Sequence, residues 1–436
     1  MISKGYGVGS TDCAEDVLAR VRPIVADSEV TADVSISLSA RRLAFVAGAP
    51  RVSTKSIAAA TGPRQHILGT ISGFRANGWQ VAPYIVGDKV QEAWLQRRQE
   101  GTIEKSFVKR LAADAMRIVL AARHTGLALR DTAPAEWVYE RCGAFLAIGY
   151  FFQRRGIPWI LETNSLLFAE LVDDRKSIVL SGLVRWVEQF AYRKCDVLVV
   201  VSDALRNAIV EKLQIPAEKI IVVPNAADTE TFNPDVVTPR RLFDVDTFVI
   251  GFQGGMYKWA GLRNLLHAVG AMRAGGLNVA AVLVGEGPER QGLERLAAEL
   301  NIADHVRFPG LVRREQVPEY IAGYDLCYSG QINLKNNAMY LSPLKLYDYM
   351  AMGKPVIASR FADAVTLTKG GQTGYLFTPE DLKDLIAVAT RAYDDRDRLG
   401  AMGANARAEI LANHTWSSRI RGFITTAEEM LAKRSQ

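Results

Sequence analysis

One feature constrains this chain above all others: an alternation of strand-like and helix-like segments that runs, breaks and starts again. Apolar runs such as "RLAFVAG", "WQVAPYIVG", "PWILETN", "DVLVVVS" and "KIIVVPN" are separated by stretches of helical periodicity, among them "RQHILGTISGFRANG", "FLAIGYFFQRRG", "LSGLVRWVEQFAYRKC" and "DALRNAIVEKLQ". Strands that are apolar throughout need cover on both faces, which a parallel sheet with helices above and below provides. A polar, proline-containing stretch, "NPDVVTPRRLFDVD", interrupts the pattern, which resumes with "TFVIGFQGG", "GLRNLLHAVGAM", "NVAAVLVGEG" and "DLCYSG". At 436 residues the chain also exceeds what one typical core holds. The sequence therefore predicts an α/β protein with two doubly wound, Rossmann-like domains over 41–237 and 238–415, facing a central cleft at the carboxyl ends of the strands. Residues 1–40, with one short helical pattern "AEDVLARVRPIV", are set apart as an N-terminal extension.

Charge and cysteine usage narrow the function classes. A net charge of +6 suits a phosphate-rich ligand or an anionic surface. Nucleic acid is not an expected partner, because the chain shows no zinc-finger spacing, basic zipper or aromatic RNP-type strand. The four cysteines, Cys13, Cys142, Cys195 and Cys327, are scattered without a CxxC pair, which argues against a disulfide framework or a zinc site and for a reducing cytoplasm. Neither a secretory leader nor an apolar run of membrane-spanning length is expected. Residues 97–130 carry Arg97, Arg98, Lys105, Lys109, Arg110, Arg117, Arg123 and Arg130 interleaved with Phe107, Leu111 and Ile118. Such a face either lies on anionic lipid, at the inner side of a membrane, or is a solvated helix face.

The stretch "SPLKLYDYMAMGKPVIAS" carries the most chemistry. Ser342 suits an N-cap, Pro343 the first helical position, and Gly353 a stop before the strand "PVIAS". Lys345 then falls in the first turn, where unpaired N–H groups make a cation unwelcome unless an anion is to be bound. Asp348 shares its face, with Cβ atoms about 5–6 Å apart, so the pair reads as a diphosphate and ribose site or as a surface salt bridge. "GFQGGMYKWAG", with Gly254, Gly255 and Lys258, is a glycine-rich loop after a strand, without the GxxxxGK[ST] or GxGxxG spacing. In the first half, "ATGPRQH" offers helix amides and Arg64 to an anion, and His66 either moves a proton or is structural. "LETNS" places Glu162 and Asn164 at a strand end facing the cleft, with Glu170 beyond at the cleft or in solvent.

With these motifs in view, the chain resembles the retaining nucleotide-sugar glycosyltransferases of family 4, which have the GT-B fold. The resemblance runs from about Arg41 to Trp416 and rests on "VVPNAADTETFNP", "LVGEGPERQGLERLAAELNIADHVRFPGLV" and "PLKLYDYMAMGKPVIAS". It implies a second domain that binds the nucleotide diphosphate sugar and a first that binds a glycan, lipid-linked or small-molecule hydroxyl acceptor, with a C-terminal helix over 416–436 packing back on the first. It also implies ribose binding by Asp348, diphosphate binding by Lys345 with help from Lys258, and base contacts from the backbone near Leu311 and Val312. Ser342, Leu344, Gly254 and Gly255 would line the donor, and Gly62 would let the first domain approach the phosphates. Asn164 stands where many members carry a histidine; Arg64, Glu162, Asn164 and Glu170 would face the acceptor. Tyr340 replaces the first glutamate of the family's E-x7-E pattern, and Gly255 and Ala260 replace its usual phosphate-binding arginine and lysine. No protein nucleophile, cofactor or metal is implied. A non-catalytic nucleotide-sugar-binding scaffold and a nucleotide-sugar epimerase on the same fold are the alternatives.

Overall fold

The computed structural model describes residues 41–50, 52–55, 61–90, 106–170, 178–332 and 342–434. The extension over 1–40, the position of Tyr340, and Arg97, Arg98 and Lys105 of the basic stretch lie outside them. The apolar runs of the first half form β1 (Arg42–Ala47), β2 (Gln80–Ile85), β3 (Trp137–Arg141), β4 (Trp159–Thr163), β5 (Val197–Val200) and β6 (Ile220–Val222). They pair in parallel in the order β2-β1-β3-β4-β5-β6, with Leu43 opposite both Val81 and Trp137. All residues of β4 and β5 are buried, as a sheet covered on both faces requires.

The second half repeats the plan with β7 (Phe248–Gln253), β8 (Val279–Val284), β9 (Val306–Gly310), β10 (Leu326–Ser329), β11 (Val356–Ser359) and β12 (Gly374–Phe377), all parallel, in the order β12-β11-β10-β7-β8-β9. The order reverses between β7 and β10, and in the first sheet between β1 and β3. Connections from neighbouring strands diverge there, which opens a crevice at the carboxyl ends.

Helices cover the sheets where amphipathic periodicity places them, for example Leu262–Ala274 and Arg290–Glu299 in the second half. Two local outcomes differ from the periodicity. "FLAIGYFFQRRG" yields only the short helix Gly149–Gln153, because buried Glu140 fixes its start by accepting from the Ile148 and Gly149 amides at 2.9 and 2.8 Å. The chain leaves it through Gly156, whose φ of +80° favours glycine. Ser342 does not cap its helix: Pro343 is the N-cap and the helix is Leu344–Ala351. The Ser342 hydroxyl is engaged elsewhere, as described below.

The last helix, Trp416–Arg434, returns to the first sheet and packs on the helix Gly62–Ala76. Glycines make the close approach. A Cβ on Gly69 would lie 2.1 Å from the Trp416 ring, and one on Gly73 2.5 Å from Ile420.

Candidate active site

In the second half, the β7–β10 crevice lies beside the helix that carries Lys345 and Asp348. The turn after β7 passes through Gly254, whose φ of +130° is open to glycine, and a Cβ on Gly285 would lie 2.0 Å from its carbonyl oxygen. This narrow turn faces the first turn of the helix Leu344–Ala351. Half-buried Lys345 lays its Nζ 3.9 Å from the centre of the Phe252 ring and 5.7 Å from that of Trp259. It makes no ion pair among the described residues, and removal from water pushes its ammonium down to about 7, against the pull of Asp348.

Asp348 is buried one turn along. Burial raises its carboxyl to about 7; Arg314 opposes that rise and Asp228 adds to it. Among the described residues its carboxylate accepts one hydrogen bond, a long one of 3.4 Å from the Gln253 side-chain amide, while the Gln253 backbone N–H donates to Tyr349 Oη at 2.8 Å and holds the turn in place. Arg314, from the loop after β9, was not legible in the sequence. It binds Asp228 at 2.6 Å, lies over Phe232, and its charge acts on both Asp348 and Arg64. Only the tertiary fold brings it to the crevice, so no local motif could have flagged it.

The other donor-side candidates are spread around this core. Gly255 packs under Tyr257, where a Cβ would lie 2.5 Å from the ring, and Lys258 is exposed. Leu311 is exposed and Val312 half-buried on the loop after β9. Gly62 opens the helix of the first half and faces Leu344, whose side chain would be 3.9 Å from a Cβ there. The starts of the two helices therefore confront each other across the crevice.

In the first half, the polar residues at the strand ends satisfy one another. Glu162, 1% exposed at the end of β4, accepts from Tyr139 Oη at 2.7 Å and Arg141 at 3.0 Å, and lies 2.7 Å from His66 Nε2. With its amide nitrogen turned to Glu162, Asn164 donates to it at 2.6 Å and accepts from Arg141 at 3.1 Å. Burial alone would raise the Glu162 carboxyl; His66, Arg141 and the hydrogen bonds outweigh it and hold the group at about 2. Three donors converge on Glu162 Oε1 while Oε2 accepts from Tyr139, so the protein itself holds this carboxylate in place. Arg64 donates to the Thr54 and Lys55 carbonyls at 3.3 Å, and Glu170 accepts from Ser165 at 2.8 Å. Glu188, not singled out in the sequence, is buried and accepts from the Leu167 and Phe168 amides and from Tyr192. Burial lifts its carboxyl to about 7 despite those bonds.

Asn225, on the chain between the sheets, joins the two clusters. Its Oδ1 is 2.6 Å from His66 Nδ1, its backbone N–H donates to Ser342 Oγ at 2.9 Å, and its amide nitrogen donates to the Ser342 carbonyl. Ser342 in turn donates to Asp363, which also accepts from Tyr347 at 3.0 Å. Both ring nitrogens of His66 thus face oxygen, an arrangement that fits the structural alternative for this histidine. The structure gathers Lys345, Asp348, Gly254 and Gly62 at the crevice, while His66, Glu162 and Asn164 form a closed network beside it.

Two family models match the chain: "Glycosyltransferase Family 4" over residues 62–231 and "Glycosyl transferases group 1" over 247–395. The chain belongs to glycosyltransferase family 4. This glycosyltransferase is 29% identical over 348 residues to D-inositol 3-phosphate glycosyltransferase of Corynebacterium jeikeium, covering 76% of this chain and 80% of that one. It is 28% identical over 257 residues to MMP alpha-(1->4)-mannosyltransferase of Mycolicibacterium hassiacum, covering 58% of each. The chain thus spans under two thirds of the length of that mannosyltransferase. Among solved structures, sucrose-phosphate synthase of Thermosynechococcus elongatus superposes with a TM-score of 0.66 at 17% identity, covering 90% of this glycosyltransferase and 100% of that chain. Anabaena HepE in complex with UDP gives 0.60 at 18% identity, covering 91% and 99%. These likenesses establish the GT-B fold.

Proposed function

We propose that this glycosyltransferase moves a sugar, with retention, from a nucleotide diphosphate sugar to a hydroxyl of a glycan, lipid-linked sugar or small molecule. The observation that carries the reading is Lys345: an ammonium in the first turn of a helix, half-buried over an aromatic ring and without an ion-pair partner among the described residues, at the point where the strand order reverses. A diphosphate there would meet the ammonium and the helix N–H groups together, and its arrival would restore the charge that burial suppresses. Asp348 would take the ribose hydroxyls, and the backbone near Leu311 and Val312 the base. The HepE structure with UDP supports a nucleotide diphosphate as the ligand class.

In this reading the chain's work is positioning and charge stabilisation of the leaving diphosphate, which assists the incoming hydroxyl on the same face. Lys345 supplies the countercharge, with the charge of Arg314 acting on its neighbour Asp348, and no metal ion is needed. The closed network of Glu162, His66, Asn225 and Ser342 positions the two helix starts. The test is nucleotide release and product anomer measured with nucleotide sugars, with and without hydroxyl acceptors. Acceptor-dependent release with a retained anomer is the expected result. Donor binding without turnover would favour the scaffold, and donor conversion without acceptor an epimerase.

Peripheral contact with an anionic membrane is part of the proposal. No helix among the described residues is long and apolar enough to cross a membrane. The helix Phe107–Asp131, however, exposes Phe107, Val108, Met116 and Val119 by 58–72%, the combination of basic and apolar groups that interfacial helices use. Co-sedimentation with phosphatidylglycerol vesicles should be lost in Val108→Asp/Val119→Asp; retention would remove this part of the reading.

A further inference from the structure

A second cavity, of about 350 Å³, lies away from the Lys345 crevice, between the end of β2 and the last part of the helix Phe107–Asp131. Its apolar wall includes Val86, Leu120 and Leu127, and its polar lining is Tyr84, Lys89, Arg123, His124, Arg130 and Asp131. The single carboxylate of this lining, Asp131, is occupied by Arg130 at 2.8 Å. Lys89 lies 5.5 Å from the centre of the Tyr84 ring, and neither it nor Arg123 has a carboxylate partner among the described residues. Tyr84 Oη sits 2.7 Å from His124 Nδ1, which fixes the imidazole and leaves its other nitrogen without a protein partner among those residues. Burial and the charges of Arg123 and Lys89 together disfavour the protonated ring.

We propose that this cavity binds a phosphate ester, and that the acceptor of the transfer is a phosphate-bearing hydroxyl compound anchored there. Cations in excess of carboxylates beside a low-dielectric wall focus a positive field, and a phosphate with an apolar or cyclic body matches both surfaces. A bound phosphate also reverses the local field at His124, so that binding draws a proton onto the ring. One hydrogen-bonded loop links the wall of this cavity to the helix whose start faces the crevice. Asp88, one residue before Lys89, accepts from Ser53 at 2.6 Å and from the Thr54 amide at 2.7 Å, and the Thr54 carbonyl accepts from Arg64. A group held by Lys89 and Arg123 is thereby tied to the segment that faces the donor. The acceptor assignment rests on the transfer reading above; phosphate binding does not.

The test uses the full chain and three probes: inorganic phosphate, sn-glycerol 3-phosphate, and phosphatidylglycerol vesicles against phosphatidylcholine vesicles. His124 is followed by NMR titration, affinity by calorimetry, and UDP and GDP binding by thermal shift in parallel. Saturating phosphate is expected to raise the His124 titration midpoint. Lys89→Ser/Arg123→Ser should weaken the bound probe at least tenfold while leaving nucleotide affinity within twofold. Glycerol 3-phosphate binding lost in the variant identifies a soluble ester, and variant-sensitive, phosphate-competed vesicle binding with no glycerol 3-phosphate binding identifies a lipid headgroup; either supports the site. Wild-type protein that binds none of the three probes, or a variant of unchanged melting temperature that binds as the wild type does, overturns the proposal. Nucleotide binding that persists in that case leaves the donor reading standing, and its loss from the wild type would sink the donor reading alone.

Discussion

The two buried acidic groups nearest the crevice are opposites. Glu162 is enclosed by Tyr139, Arg141, His66 and Asn164 and is held at about 2, whereas Asp348 has one long hydrogen bond and rises to about 7. Burial is comparable, so the difference is in partners. A carboxylate surrounded by donors contributes to the fold, while an under-satisfied acid beside an ammonium without an ion-pair partner among the described residues costs stability, as it would at the ligand site proposed above. Identity of residue type at a strand end or helix start thus says less than the count of donors around it.

The largest effect should come from breaking the satisfied side. Glu162→Leu strands His66 and Arg141, and removal of one member of a buried pair costs about 3–5 kcal/mol, to be read by urea denaturation. The contribution has a definite pH sense: with a depressed folded value of about 2, it is present above the unfolded carboxylate range and lost as pH falls towards 2. A loss under 1 kcal/mol would erase the contrast.

Next is Lys345→Met, expected to lower turnover by about 10²–10³, the usual effect of removing one group that meets transition-state charge, without lowering the melting temperature. Near-normal kcat in a folded protein would end its assignment. Asp348→Asn should weaken nucleotide binding by about ten- to a hundredfold, as for hydrogen bonds to a charged group, with a smaller change in kcat. Calorimetry against nucleotides checks it.

The same pair sharpens the comparison through pH. Lys345 has a folded value below its unfolded one, so its protonation penalises the native state fully below pH 7 and less as pH climbs towards 10; Asp348, raised, penalises it above pH 7 and not below about pH 4. Lys345→Met should therefore raise the melting temperature at pH 6–7 with a gain that fades by pH 10. Asp348→Asn should give a gain at pH 8 that fades by pH 4. Glu162→Leu should show neither. The smallest effect is expected for Lys258→Ala, under about threefold on donor KM, because that side chain is exposed.

The sheets were legible because strands that read apolar throughout, such as "DVLVVVS", admit few alternatives, and the helix start at Leu344 was placed within two residues of its sequence signal. The candidate site was legible where a local rule was broken, since Lys345 does fall in a first helical turn. Long-range contacts were not. Arg314 reaches the crevice from a loop whose sequence has no distinguishing pattern, and Ser342 looks like an ordinary cap although its hydroxyl serves Asn225 and Asp363. His66 and Glu162 were visible as polar groups, but their mutual saturation depends on four separate elements meeting.

The notch that Gly69 and Gly73 cut for Trp416 and Ile420 has a practical corollary. Arg434, near the close of that helix, donates to the Asp196 carbonyl beside β5. A fluorophore attached there would travel with the β1–β6 sheet although the helix that precedes Trp416 belongs to the second half, so energy transfer from it to a dye on the β7–β12 side would report the distance between the halves.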